Sequence, residues 1–343
     1  MKKIRVAING FGRIGRAFAR VAHGHPEIEI VAVNDLGDIK NFAYLLKYDT
    51  VYGPCPFPVS VKADTNTLVF GDHNVQYLSE KDPTRLPWKH LNIDVVVEST
   101  GLFTSSEKAK VHIDAGAKRV VVTAPVKDNP NSAAKSATVL MAMNENALKG
   151  CPISSNASCT TNAGSPLIAI LDENLGIEKA LLNTVHAYTA SQAIVDGPSK
   201  KDLREGRAGA ANIIPSSTGA AIAVTQVMPN LKGLFDGISI RVPVPVGSIV
   251  DITFVSKRKT SAEEVNSILK KAAGEARWKG IFTVTEDPIV SSDIVGNSHA
   301  SIADLAFTRV VGGNLVKVLA WYDNEMGYTH TLVSHVIEAG KLI

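Results

Sequence analysis

Apolar residues in the first 125 positions come as short runs separated by stretches with helical spacing. "IRVAI" (4–8) has the density of a buried strand, and "EIVAVND" (29–35) reads as a second one. Between them, "GRAFARVAHG" places apolar side chains at helical intervals, with Gly24 as a stop. "DVVVEST" (94–100) and "KRVVVTAP" (118–125) are valine-rich runs that end in polar or turn residues. Strands joined by helical crossovers predict a parallel sheet covered on both faces. Ligands bind such sheets at the carboxyl ends of the strands, so "NGFG", "VND", "EST" and "TAP" should gather along one edge. After about residue 157 the pattern changes. "ISIRVPVPVGSIVDITFV" (238–255) and "KVLAWYD" (317–323) are longer alternating strands with few crossover helices, which predicts a mixed or antiparallel sheet. The tail "THTLVSHVIEAGKLI" returns to helical spacing. No internal repeat, low-complexity tract or charged tail interrupts the chain.

Length and composition refine this picture. With 343 residues the chain is long enough for two domains. It is 45% hydrophobic and 20% charged, with 36 basic against 33 acidic residues and a net charge of +3, so neither a nucleic-acid stripe nor a membrane-binding surface is expected. The three cysteines, Cys55, Cys151 and Cys159, show no C-x-x-C spacing, which argues against a structural metal site or a disulfide framework and for a reducing compartment. The amino terminus lacks the uninterrupted apolar core of a signal peptide, because Arg5 and Asn9 break its apolar run. No run approaches the roughly 18 apolar residues needed to span a bilayer. A cytoplasmic protein is expected.

"INGFGRIGR" holds Gly10, Gly12 and Gly15 in G-x-G-x-x-G spacing. The motif alone is weak, but here it follows a strand, opens a helix and precedes Asp35, which lies 20 residues beyond Gly15 at the end of the next strand. Gly10 permits a tight turn, Gly12 lets backbone approach a pyrophosphate, and Gly15 lets helix pack closely on strand. The helix N-terminus offers unpaired N–H groups to phosphate. Asp35 would accept hydrogen bonds from a ribose diol and repel a 2′-phosphate, so NAD is expected over NADP.

Cys159 lies in "SSNASCTTNAGSP", a polar and almost chargeless stretch. An unassisted thiol is only about 3% ionised at pH 7. A nucleophilic cysteine therefore needs a helix N-terminus or an imidazolium beside it. The stretch supplies a helix start near Ser158–Cys159. Cys151, in "LKGCPIS", suits an inert structural role. Of nine histidines, His186 in "LLNTVHAYT" is the best-placed partner, although a purely structural role fits it as well. "NIIPSSTGAA" sets Thr218 and Gly219 either in an anion-binding nest or in a plain surface turn. Arg241, within "ISIRVPV", either pairs an anion or lies on a solvated strand face.

Together these segments resemble the phosphorylating glyceraldehyde-3-phosphate dehydrogenases of glycolysis. "INGFGRIGR", "VND", "ESTGLFT", "SNASCTTN", "TVHAYT", "DGPSKKDLR", "NIIPSSTGAA", "RVPVP" and "KVLAWYDNEMGY" follow that family's order along the whole chain, and "SNASCTTN" and "WYDNEMGY" are specific to it. The resemblance implies a Rossmann-type NAD-binding domain over 1–157, an α+β catalytic and tetramerisation domain with a mixed or antiparallel sheet over 158–323, and a last helix, 324–343, packing back on the first domain. It implies oxidation of D-glyceraldehyde 3-phosphate to 1,3-bisphosphoglycerate with NAD and inorganic phosphate, without a metal. Cys159 would be the nucleophile, passing through a thiohemiacetal and a thioester, and His186 the base and ion-pair partner. Ser158, Thr160, Thr218 and Gly219 would hold the attacking phosphate, and Thr189 and Arg241 the substrate's own. Arg13, Ile14, Thr100 and Thr123 would line the cofactor cleft, Asn324 would bind the nicotinamide carboxamide, and Pro198 would leave no room for a 2′-phosphate. A loop near 187–212 would reach a neighbouring subunit's cofactor in a homotetramer.

Four departures stand out. Ala163 replaces the family's usual second cysteine, which removes one route to an intramolecular disulfide. Ile222 stands where many members have lysine, "VPVPVGSIVD" replaces a commoner "VPTPNVSVVD", and "GYTHTLV" replaces "GYSNRVV". Two rival readings share the motifs. An erythrose-4-phosphate dehydrogenase would use water in place of phosphate at the thioester, and a non-catalytic binding paralogue would show no turnover.

Overall fold

A computed structural model describes residues 2–128, 134, 136–199 and 202–343; Lys200 and Lys201 of the "DGPSKKDLR" segment lie outside the described residues. The chain forms two compact units, Met1–Ala157 with Thr329–Ile343, and Ser158–Tyr328.

The first unit is built from β1 (Ile4–Asn9), α1 (Arg13–Ala22), β2 (Ile28–Asn34), α2 (Ile39–Lys47), β3 (Val59–Lys62), β4 (Thr67–Phe70), β5 (His73–Leu78), β6 (Val95–Glu98), α3 (Ser106–Asp114), β7 (Arg119–Val122), β8 (Ser136–Thr138) and β9 (Ile153–Ser155). Its sheet runs β8-β9-β7-β6-β1-β2-β5-β4-β3. The pairs from β8 through β5 are parallel, and β4 and β3 add an antiparallel edge. Every residue of β6 is buried, as expected of a parallel strand covered on both faces. Trp88, Ile93, Val96, Val120 and Ile153 pack together beneath it. Valine suits these positions because its branched side chain is stiff and fills a pleated surface. This is the Rossmann-type half of an α/β protein.

The second unit holds α4 (Cys159–Leu175), β10 (Ile177–Ala187), β11 (Ile214–Ser217), α5 (Ala220–Val227), β12 (Phe235–Val242), β13 (Ser248–Ser256), α6 (Ala262–Ala273), β14 (Phe282–Thr285), β15 (Ser301–Val311) and β16 (Leu315–Tyr322). Its sheet, β11-β12-β10-β13-β16-β15-β14, is mixed; β10 lies parallel to β12 and antiparallel to β13. Burial alternates strictly along β13, the signature of a sheet with one covered face. The three helices α4, α5 and α6 are more than the alternating texture suggests, because α6 occupies a charged segment whose apolar stripe is only Val265, Leu269 and Ala272. α7 (Met326–Gly340) closes the chain; Asp323 caps its start by accepting the N–H groups of Glu325 and Met326. Among the described residues no helix is long and apolar enough to cross a membrane. Nor do they contain a group of three or more His, Cys, Asp and Glu able to hold a metal ion.

Candidate active site

In the second unit Cys159 is the first residue of α4, and its Sγ lies 3.3 Å from His186 Nε2. The local sequence explains the placement. Ser158 is the N-cap, its Oγ accepting the Thr161 N–H at 3.1 Å, so the helix begins at the cysteine and its positive end faces the sulfur. Ala157 takes a left-handed conformation, φ 54°, which turns the chain sharply into the cap. His186 sits next to last in β10, in register with Arg241 on β12, and that pairing joins residues 55 positions apart.

The Arg241 Nη1 is 2.6 Å from His186 Nδ1 and donates to the Ala187 carbonyl at 3.2 Å. His186 Nδ1 is also 2.7 Å from that carbonyl. Nδ1 cannot both donate to the carbonyl and accept from the guanidinium, so Arg241 selects between the two imidazole tautomers. With the proton on Nδ1, Nε2 is free to take the thiol proton; with Arg241 donating to Nδ1, Nε2 carries the proton. Burial pushes the Cys159 thiol up, and Arg241 and Thr160 oppose that rise. Burial first, then Arg241, pushes His186 down to about 3. One guanidinium thus favours the thiolate and disfavours the imidazolium, and charge separation depends on where Arg241 points. Its Nε is buried with no hydrogen-bond partner, a donor left over for an anion.

Of the other predicted residues of this unit, Thr160 and Asn324 are buried and the rest are half-buried or exposed. Thr218 and Gly219 follow β11, whose Ile214 pairs with Arg241. Thr218 Oγ1 accepts the Ala220 N–H at 3.2 Å, and exposed Gly219 is the N-cap of α5, which has no side-chain cap bond. Thr189 is half-buried, with its hydroxyl 3.0 Å from Ser191 Oγ. Pro198 is exposed. Asn324 is buried; its Oδ1 accepts from Gly247 N and Ser248 Oγ, each at 3.1 Å, which turns the NH₂ group outward from those donors. Cys151 is half-buried in the first unit, and Arg119 donates to its carbonyl at 3.1 Å.

The first unit carries the glycine loop. Gly10 has φ +95°, and a Cβ there would come within 2.7 Å of the Ser99 and Thr100 backbone. A Cβ on Gly15 would lie 2.2 Å from the Gly10 carbonyl oxygen, so α1 can approach β1 only with glycine there. Exposed Gly12 is the N-cap of α1 and makes no side-chain cap bond. Asp35 accepts the Phe11 N–H at 2.6 Å and the Leu36 N–H at 2.7 Å, fixing the loop to the end of β2. A helix end without a side-chain cap, a loop with glycine at 10 and 12 and a carboxylate at the neighbouring strand end fit a dinucleotide. Arg13 pairs with Asp49 at 3.1 Å, beside half-buried Ile14. Thr123, half-buried, follows β7, where its N–H donates to the Glu98 carbonyl at 2.9 Å.

Thr100 leads to a cluster that sequence reasoning missed. Its hydroxyl and N–H both donate to Glu98, whose carboxylate also accepts from Asn9 Nδ2 at 2.6 Å and lies 3.0 Å from His112 Nε2. Trp88 Nε1 can only donate, and it reaches His112 Nδ1 at 3.1 Å; the ring proton therefore sits on Nε2 and points at Glu98. The only trace of this in sequence is an acid ending a valine run. Tyr322 Oη lies 2.9 Å from Thr160 Oγ1 and 2.7 Å from Thr184 Oγ1; Tyr322 and Thr184 were missed because, in core strands, they read as packing.

Two family models match the chain. One, described as glyceraldehyde 3-phosphate dehydrogenase, NAD binding domain, covers residues 4–106, and the other, glyceraldehyde 3-phosphate dehydrogenase, C-terminal domain, covers 158–324. The chain is 48% identical over 345 residues to the glyceraldehyde-3-phosphate dehydrogenase of Mycobacterium avium, an alignment covering 98% of this chain and 99% of that one. It is likewise 48% identical to glyceraldehyde-3-phosphate dehydrogenase 2 of Streptomyces avermitilis and to the enzyme of Mycolicibacterium smegmatis, each over 98% of this chain and 99% of the relative.

Proposed function

The chain belongs to the glyceraldehyde-3-phosphate dehydrogenase family, and from that premise we propose how its residues divide the NAD-dependent oxidation of glyceraldehyde 3-phosphate in glycolysis. The observation that carries the reading is the 3.3 Å contact between Cys159 Sγ and His186 Nε2 at the start of α4. His186 takes the thiol proton, the thiolate attacks the aldehyde carbon, and His186 passes that proton to the carbonyl oxygen, giving a thiohemiacetal and a neutral imidazole. The helix end and Arg241 stabilise charge on sulfur during that step. NAD, when bound, supplies the hydride acceptor that turns the thiohemiacetal into a thioester. His186 removes the hydroxyl proton as the C–H bond is lost. Inorganic phosphate then attacks the acyl carbon, the C–S bond breaks, and the thiolate leaves with an acyl phosphate as product.

The orphaned Nε of Arg241 supports a role in holding the substrate phosphate, together with Thr189. When the guanidinium turns to that phosphate, it leaves Nδ1 free to donate to the Ala187 carbonyl, which is the tautomer a base at Nε2 requires. Ser158, Thr160, Thr218 and Gly219 hold the attacking phosphate. The glycine loop, Arg13, Ile14, Asp35, Thr100 and Thr123 hold NAD, Asn324 orients the carboxamide through its NH₂ group, and Pro198 excludes a 2′-phosphate. Residues 1–157 with the helix 324–343 serve as the NAD domain and 158–323 as the catalytic domain. A homotetramer would cover the apolar groove of about 810 Å³ on the second unit's sheet, where Leu181, Ile222, Leu234 and Leu315 are exposed, and the 187–212 segment would contribute to a neighbour. Three cysteines without disulfides suit a cytoplasmic protein.

Following NADH absorbance with glyceraldehyde 3-phosphate and NAD, with and without inorganic phosphate, tests the scheme. Reduction that depends on phosphate is expected. Phosphate-independent turnover would identify an acid-forming enzyme such as an erythrose-4-phosphate dehydrogenase, and NAD binding without turnover would overturn the catalytic reading.

A further inference from the structure

Glu98, Asn9 and Asn34 end three neighbouring parallel strands, β6, β1 and β2, and are paired across the sheet. Their side chains form a buried row. Asn34 Nδ2 donates to Asn9 Oδ1 at 2.7 Å, and Asn9 Nδ2 donates to Glu98 Oε2 at 2.6 Å. This row runs in one direction only. Asn34 Oδ1 accepts the Glu80 N–H at 2.9 Å and Asn34 Nδ2 also donates to the Glu80 carbonyl at 3.0 Å, so backbone fixes which end of that amide is which. With Asn34 fixed, Asn9 must turn its NH₂ group to Glu98. A second row arrives through α3. Trp88 Nε1 donates to His112 Nδ1 at 3.1 Å, which puts the ring proton on Nε2, 3.0 Å from the same Glu98 oxygen.

Glu98 thus meets three N–H groups that cannot reverse, those of Asn9, His112 and the Thr100 backbone, the last at 2.9 Å. Only the Thr100 hydroxyl, its fourth partner, is able to turn round. Three fixed donors favour the charged carboxylate, which accepts from all of them. The charge is also uncompensated. Glu98 is 2% exposed, and among the described residues no lysine or arginine pairs with it. His112 cannot act as its counter-ion, because a second ring proton, on Nδ1, would face the indole N–H. Burying a lone charge is a costly way merely to tie two turns together. Its place in the fold supplies a further use. Asn9 leads into Gly10, and Thr100 follows Ser99, whose Oγ donates to the Gly10 carbonyl at 2.6 Å. The carboxylate therefore touches both segments proposed to hold NAD.

On the reading that this sheet edge holds NAD, we propose that Glu98 is a specificity-determining residue whose fixed negative charge makes the site prefer the oxidised cofactor to the reduced one. Hydride transfer adds two electrons and one proton to the nicotinamide, so the cofactor loses its only positive charge while both phosphates keep theirs. A negative charge in the wall of the site therefore disfavours NADH more than NAD. Because Glu98 is buried, salt and water screen it less than they would a surface carboxylate. The locked donors keep it ionised when the cofactor changes charge, so it does not take up a proton to relieve the repulsion. The site holds NAD ready for oxidation and loosens its grip on the NADH that forms.

The test is a pair of calorimetric titrations of the full-length protein, one with NAD and one with NADH. Glu98→Gln sets an NH₂ group against locked donors, so both affinities should fall, and the informative quantity is the ratio of the two dissociation constants. NAD should weaken about fivefold more than NADH. Damage to the turns alone weakens both nucleotides alike. Glu98→Ala leaves room for water among the same donors and should move the ratio in the same direction, which gives the answer if Glu98→Gln does not fold. An unmoved or inverted ratio in the folded variant overturns the proposal. Asn9→Asp added to Glu98→Gln returns a carboxylate one strand away, where it accepts from Asn34 and from the new amide. The ratio should then move back toward the wild-type value, and a ratio that stays displaced overturns charge as the cause. Failure of the underlying reading shows separately, as wild-type protein that titrates with neither nucleotide.

Discussion

Two helix N-termini in this protein do opposite things with the same electrostatics. α1 begins behind Gly12, exposed and without a side-chain cap bond, at the loop proposed to take the dinucleotide. α4 begins behind Ser158, which caps it, and its first residue is Cys159, the proposed nucleophile. On the proposed reading, the first helix would lend its positive end to a phosphate that arrives from outside. The second turns it on a charge that forms and disappears within the chain. The open site therefore needs glycine, and the closed one needs hydroxyls: backbone must be bare where a dinucleotide lies against it, whereas a buried thiolate must be surrounded by short donors.

Removing the inner charge should give the largest effect. Cys159→Ser should lower NADH formation by about 10⁴-fold or more while NAD still binds, as checked by steady-state assay beside a fluorescence titration. Acid should come next and should not distinguish the two units, because each has a buried histidine. In the first unit His335 lies between Ser154 Oγ at 2.8 Å and Asn156 Oδ1 at 3.0 Å, and burial holds it down to about 3; His186, in the second unit, is also held to about 3. The unfolded imidazoles take up protons near 6.5, well before the folded ones. Stability from both is therefore complete above that pH and is lost as pH falls toward 3. Urea melts at pH 6.5 and 5 should differ by up to about 2 kcal/mol per histidine. Gly15→Ala drives a Cβ into the Gly10 carbonyl and should weaken NAD roughly tenfold or more, measured by titration, with the rate of Cys159 alkylation by iodoacetamide unchanged. Ser158→Ala removes the cap of α4 together with one of the hydroxyls proposed to hold the attacking phosphate. It should cost about 1 kcal/mol in thermal melts and leave NAD affinity alone, the mirror image of the glycine substitution.

The legible parts of the molecule were those where backbone demands a residue type. The glycine loop, Asp35 and the short valine strands each declare a local geometry; β6 and β7 lie within the expected runs, and β1 and β2 each extend one residue beyond theirs. The start of α4 was legible from Ser158, a cap followed by an apolar helix face. What stayed hidden depends on register between distant strands. Nothing local marks Arg241 as the neighbour of His186; only the parallel pairing of β10 with β12 brings them together. Tyr322 and Thr184 face inward in core strands, where a hydroxyl and an apolar side chain occupy the same alternation. Glu98 and His112 were hidden because a buried acid is recognisable only by the donors that surround it, and these come from β1, α3 and the residues after β6.

Asp35 bears on the evolutionary history open to this protein. Its carboxylate holds the Phe11 and Leu36 amides in place as well as carrying the charge proposed to meet the ribose. A lineage drifting toward NADP cannot simply delete it, since the substitution that admits the extra phosphate also unpins the loop that grips the cofactor. The passable route runs through asparagine, one nucleotide change away, which drops the charge and keeps a carbonyl for a backbone donor. Cofactor preference is in this sense anchored in the folding of the turn, and a population would cross between the two coenzymes by way of a generalist.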